Sequence, residues 1–212
     1  RTTRYWEPDF RVDVFHTEEY FVQELRRLLE DAVRLQMRSD VPVGCYLSGG
    51  TDSSLVTLLA APHVGGRLHT FSGAFKEGPE FNELEYAREV ARACGAEPHE
   101  IFPTEQEFVE LLPALVYHMD EPVAGTGLFP QYSVSRMARK QVKVCLGGQG
   151  GDEIFGGYTR YLVAYFEQAL AAGPEDASIW RDVALVYLEQ GNAERARELL
   201  KEAAILDPRD AQ

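Results

Sequence analysis

The chain has only three cysteines, Cys45, Cys94 and Cys145, and no two of them are close in sequence. That number and spacing speak against a disulfide framework and a cysteine-based zinc site, so the thiols are expected to behave as small buried hydrophobes. No apolar run approaches the roughly 20 residues that a membrane helix needs, so no membrane partner is expected. Basic clusters are also missing: 21 Lys and Arg stand against 34 Asp and Glu, a formal charge of -13. Such a surface repels a polyphosphate backbone, and nucleic acid is not expected as a partner. Arg1 to Asp9 lacks the apolar core of a secretory signal, which makes the cytoplasm the expected compartment.

What is present fits a soluble α/β domain with a small addition. At 212 residues, 45% of them hydrophobic, the chain can bury one substantial core. Residues 17 to 38 place Phe21, Leu25, Leu28, Leu29, Ala32, Val33 and Gln36 at helical spacing, a stripe expected to pack on that core. Pro42 to Leu47 is too apolar for a half-exposed strand and reads as a buried parallel one. A glycine loop and a helix over 52–60 follow it. Further strands are expected at 68–73, 97–102 and 142–146. Helices are expected from an Asn82 cap to Cys94, from the Thr104 to Glu107 capping box to Met119, and over 131–140. The order implies an open, doubly wound, mostly parallel sheet. In such sheets ligands sit beyond the carboxyl ends of the strands, where strand order reverses. If the second and third strands lie on one side of the first and the fourth on the other, the two glycine loops face each other.

From Ala177 to Asp210 a tetratricopeptide frame fits in register, with Trp180, Val183, Ala184, Tyr187, Gly191, Ala196, Leu200, Ala203 and Pro208 at the small, aromatic and turn positions. The expected organisation is a nucleotide-binding domain over 1–172 and a single helical repeat over 173–212. A lone repeat leaves an apolar face uncovered, so it is expected to pack on the main domain or to support a protein partner or self-association.

Ser48-Gly49-Gly50-Thr51-Asp52-Ser53 supplies what an anion cradle needs: converging amides, glycines that admit close approach, and a helix N-terminus. No Gly-Lys-Ser/Thr follows, so it is not a Walker loop. It matches instead the Ser-Gly-Gly-x-Asp-Ser form that grips pyrophosphate as the leaving group of ATP. Asp52 beside a triphosphate is repulsive unless a cation intervenes, which implies Mg2+. Asp152, in the second loop Gly147-Gly148-Gln149-Gly150-Gly151-Asp152, could hold the same ion from the far side, although an acid there could equally serve the helix dipole.

Pro42 to Ser54 together with Leu146 to Tyr158 resembles the synthetase domain of glutamine-dependent asparagine synthetases, a likeness running from about Arg4 to Leu170. The resemblance implies an adenine nucleotide alpha hydrolase-like fold that uses ATP and Mg2+ to convert aspartate into β-aspartyl-AMP and pyrophosphate. Ammonia then displaces AMP. By position, Leu47 and Gly73 would contact adenosine, Gly147 and Gly148 would line the far side, and Ser48, Gly49, Gly50, Asp52 and Ser53 would hold pyrophosphate. Gln149 stands where the family commonly has a glutamate that helps form the acyl-adenylate. An amide can orient substrate but cannot act as a base, so a related small acid stays open beside aspartate. Asp120 to Val123 resembles the family's acidic segment near the substrate pocket.

The resemblance also implies an N-terminal glutaminase whose cysteine is residue 1 or 2, whereas this sequence starts Arg1-Thr2-Thr3. Ammonia is then expected from free solution or a partner glutaminase. The family's later helical region, with a lysine near the α-phosphate, is replaced here by the repeat, so weak or no turnover is expected of this chain alone. Two other classes remain to be weighed: a tRNA-modifying enzyme with the same loop, and a catalytically incomplete nucleotide-binding module that docks partners through the repeat.

Overall fold

Thr17 opens the first helix, α1 (Glu18–Gln36), by accepting a hydrogen bond from the Tyr20 amide. In the computed structural model, residues 2–5, 7, 13–76, 83–120, 127–189 and 191–207 are described. The chain divides into two units, Arg1–Gly148 and Gln149–Gln212.

The first unit is built on four parallel strands: β1 (Val43–Tyr46), β2 (His69–Gly73), β3 (Glu97–Ile101) and β4 (Val144–Leu146). Their order is β3-β2-β1-β4, with Gly44 beside His69 on one side and Cys145 on the other. Strands two and three therefore do lie on one side of the first and the fourth on the other. Flanking helices are α2 (Thr51–Ala60), α3 (Leu84–Ala93), α4 (Glu105–His118) and α5 (Leu128–Ala138). Between α2 and β2 lies a short 3-10 turn, Ala61–His63.

Each face of the sheet has its own apolar cluster. Val33, Cys45, Ala60, Leu68 and Leu146 pack together, as do Phe71, Val134, Ala138 and Val142. Cys45 is fully buried and its thiol pKa is pushed up to about 12 by burial, the behaviour of a small hydrophobe. At the sheet edge, burial and then the His69 ring lower the His99 pKa from its ordinary imidazole value. Arg88 of α3 grips Glu100 of β3 through two hydrogen bonds of 2.7 Å, tying helix to edge strand.

Several expectations are corrected by packing. The α1 stripe is only partly buried: Val33 is in the core, while Phe21, Leu25 and Leu28 are exposed. Val33 packs with Cys45 and Ala60, whereas Val22 and Leu25 only line an open groove with Leu55 and Leu59 of α2. Helix α5 begins at Leu128 rather than Gln131, because Pro130 is accommodated in its first turn, where an amide proton is not needed. Helix α3 has Glu83 at its N-cap position, and Asn82 lies outside the described residues. The Thr104 capping box is formed as expected, with Glu107 reaching back to the Thr104 amide at 3.0 Å.

Thr70 Oγ1 and Ser133 Oγ are buried without a hydrogen-bond partner among the described residues. A buried hydroxyl with no partner forfeits its hydration for nothing, so Thr70→Val is expected to leave stability unchanged or raise it by up to about 1 kcal/mol. Urea denaturation measures this directly, and a loss exceeding that amount would reveal a partner.

The second unit comprises α6 (Gly151–Phe155), α7 (Thr159–Ala172), α8 (Ala177–Glu189) and α9 (Ala193–Leu206). Val183, Ala184, Ala196 and Leu199 form its core, with Phe166 and Leu170 of α7 against them. The boundary expected at 172/173 lies inside this unit, between α7 and α8. The helical hairpin is present, and Gly191 turns it with φ of 75°. Pro208 and Asp210 lie outside the described residues. No helix among the described residues is long and apolar enough to cross a membrane.

Candidate functional site

At the carboxyl end of β1, Leu47 is held in line with the sheet. Its amide donates to Phe71 O at 3.0 Å and its carbonyl accepts from Ser72 Oγ at 2.6 Å. The chain then turns into the loop. Ser53 Oγ donates to Gly50 O at 3.1 Å and stands 2.9 Å from Ser48 Oγ. Since the Ser53 proton is used on Gly50, Ser48 is the donor in that pair. Ser48 Oγ in turn accepts from the Gly50 amide, and Ser53 Oγ from the Ser48 amide, both at 3.2 Å. The two serines thus brace the loop from within.

The first intrahelical bond of α2 is Ser54 N to Gly50 O, so the amides of Thr51, Asp52 and Ser53 precede the helical ladder. They form the positive end of a ten-residue helix, where an anion is favoured. Gly49 adopts φ of 104°, and a Cβ there would collide with Glu83 O and lie 2.9 Å from Glu83 Cβ. Across from it, a Cβ on Gly148 would sit 2.7 Å from Ser53 N and 2.8 Å from Asp52 Cβ. The end of the β4 loop therefore lies directly against the first turn of α2. Only glycine allows that approach.

A family model described as asparagine synthase matches residues 24–212. The chain belongs to the asparagine synthase family. It is 42% identical over 163 residues to a Methanocaldococcus jannaschii protein provisionally named glutamine-hydrolyzing asparagine synthetase 2, a match covering 76% of this chain and 31% of that protein. With glutamine-hydrolyzing asparagine synthetase 1 of Bacillus subtilis it shares 42% over 144 residues, 68% of this chain and 22% of that one. The chain thus spans less than a third of either relative. An NH3-dependent NAD synthetase from Campylobacter jejuni superposes with a TM-score of 0.44 at 17% identity, covering 88% of this chain and 92% of that one. That likeness is too loose to bear on the site.

In this asparagine synthase domain, the first unit brings together Leu47, Ser48, Gly49, Gly50, Asp52, Ser53 and Gly148, with Gly147 leading into Gly148. Gly73 ends β2, exposed on one side, and a Cβ on it would lie 2.7 Å from Val134 Cγ2. Gln149 and Asp152 belong to the second unit. Gln149 is exposed, and Asp152 sits in the first turn of α6 with its carbonyl accepting from the Gly157 amide at 3.0 Å. Asp120 has φ of 57°, and 121–126 lie outside the described residues.

One residue at the loop escaped the sequence reading. Glu83, just before α3, packs its backbone on Gly49 and places Oε2 3.5 Å from where a Cβ on Gly50 would be. No local motif marks it. The usable signal was topological: the β2 to α3 connection leaves the same sheet edge as the glycine loop.

Proposed function

We propose that this asparagine synthase domain adenylates a carboxylate with ATP and passes the acyl group to ammonia, the aspartate side chain being the acceptor. The observation that carries this reading is the close approach of Gly148 to Asp52 and Ser53 at the positive end of α2, where the amides that precede the helical ladder favour an anion. Ser48, Gly49, Gly50, Asp52 and Ser53 hold the β- and γ-phosphates; Leu47 and Gly73 border the adenosine, and Gly147 and Gly148 line the opposite wall. The acceptor carboxylate oxygen attacks the α-phosphorus, the bond to the β-phosphate oxygen breaks, and pyrophosphate leaves. Ammonia then attacks the acyl carbon, AMP departs with the bonding electrons, and the new amide sheds a proton.

Mg2+ fits this donor set. Asp52 is half-buried, makes no ion pair among the described residues, and shares the loop with the Glu83 carboxylate, so a hard cation meets oxygen donors. Asp52 and, on its motif alone, Asp152 are the proposed ligands, and the ion would neutralise charge on the departing pyrophosphate. Gln149 is proposed to orient the acceptor through its amide. Pyrophosphate release that requires ATP, Mg2+ and aspartate together is the expected result in a coupled assay. Formation of ADP and phosphate instead would refute the reading.

A further inference from the structure

The opposite end of the sheet carries a cluster that the ATP site does not use. His69 opens β2, and its Cα partner across the parallel ladder is Glu97, which opens β3. His99 follows Glu97 by two residues, so the strand period returns it to the same face. His69 Nδ1 lies 2.9 Å from His99 Nε2, and His99 Nε2 lies 4.0 Å from Glu97 Oε1. One ligand atom from each of the three residues falls within 4.8 Å of the others. All three are half-buried on the edge of the sheet, with Phe71 stacked on His99 at 5.1 Å between ring centroids.

We propose that His69, Glu97 and His99 form a binding site for a borderline divalent cation of the Zn2+ class, staple-like across the β2–β3 edge. Two imidazoles and one carboxylate make a three-ligand set that Zn2+ takes with a water in its fourth position. Ligand atoms about 2.0 to 2.1 Å from a tetrahedral ion stand about 3.3 Å apart. The present spacings of 2.9 and 4.0 Å bracket that value, so small side-chain rotations suffice. Without the ion one ring must donate a proton to the other. As the ion enters, that ring keeps its charge state and moves the proton to its remaining nitrogen. The rigid scaffold argues for the site as well: Cα positions are fixed by the ladder, and Phe71 limits the His99 ring. A pair of exposed histidines on a loop would have neither restraint.

Co2+ is the probe, titrated into untagged chain and followed by visible absorption, with Zn2+ added afterwards. One equivalent of Co2+ should give the intense bands of a four-coordinate ion without a thiolate charge-transfer band, and Zn2+ should erase them. His69→Gln and His99→Gln should each weaken binding at least about tenfold, while Cys94→Ser should leave it unchanged. Because a core histidine variant can misfold, the second readout is thermal: Tm of the unaltered chain should climb with the logarithm of free Zn2+. Glu97→Gln, which keeps side-chain size, should flatten that climb. Absence of both the bands and the Zn2+-dependent Tm rise in the unaltered chain would overturn the proposal, as would bands that persist in both histidine variants.

Discussion

Gly49→Ala is expected to unfold the loop locally and to cost on the order of 2 to 4 kcal/mol of stability. Two independent penalties meet at this position. Its φ of 104° is unfavourable for any side chain, and the added Cβ would strike the Glu83 carbonyl. Neither can be relieved cheaply, because Leu47 is fixed in the sheet just before the loop and the Ser48 and Ser53 hydroxyls brace the turn just after it. For a unit of this size the loss corresponds to roughly 5 to 12 °C in Tm. A conformation that relaxes the clash shifts the turn that leads into the Thr51 to Ser53 amides, so ATP affinity should fall at least about tenfold. Gly65→Ala is the control: a Cβ there meets nothing within 4 Å, and neither Tm nor affinity should change. Equal effects at the two glycines would mean that loop geometry is not the source of binding.

Asp52→Asn has an effect whose sign depends on the metal. In Mg2+ the variant should bind ATP on the order of 10 to 100-fold more weakly, since an amide replaces a charged oxygen ligand. In excess chelator the order should reverse. A carboxylate close to a triphosphate repels it when no cation intervenes, and the amide removes that repulsion while keeping the shape. Calorimetric titration with and without Mg2+ reads both arms. If the variant were weaker under both conditions, Asp52 would serve the loop's structure rather than the cation, and the Mg2+ assignment would move to Glu83.

How much of this was readable in advance depended on the range of the interaction involved. The Thr104–Glu107 box is a contact three residues apart, and it stands where the sequence places it. The parallel strands were legible because Pro42 to Leu47 is apolar throughout and is followed by glycines, whereas the strand order entered only as a condition that the sheet then met. Longer-range features were hidden. The apolar face of α1 looked like a core face, yet Val33 is its one buried residue. Glu83 comes to Gly49 across a gap of more than thirty residues, which no spacing rule anticipates. His69, Glu97 and His99 acquire meaning only once the register of β2 on β3 is known. Gln149 and Asp152 lie in the glycine-rich loop that leads into α6, while their chemical roles rest on the motif.

The central claim is that the turn from Ser48 to Ser53, closed by Gly148, holds the pyrophosphate portion of ATP. Amide NMR on the 15N-labelled chain tests it most directly, by titrating first inorganic pyrophosphate and then ATP, each with Mg2+. Both ligands should shift the amides of Gly49, Thr51, Asp52, Ser53 and Gly148, and ATP alone should add shifts at Leu47 and Gly73. Pyrophosphate that leaves these loop amides unmoved while ATP binds elsewhere would contradict the account.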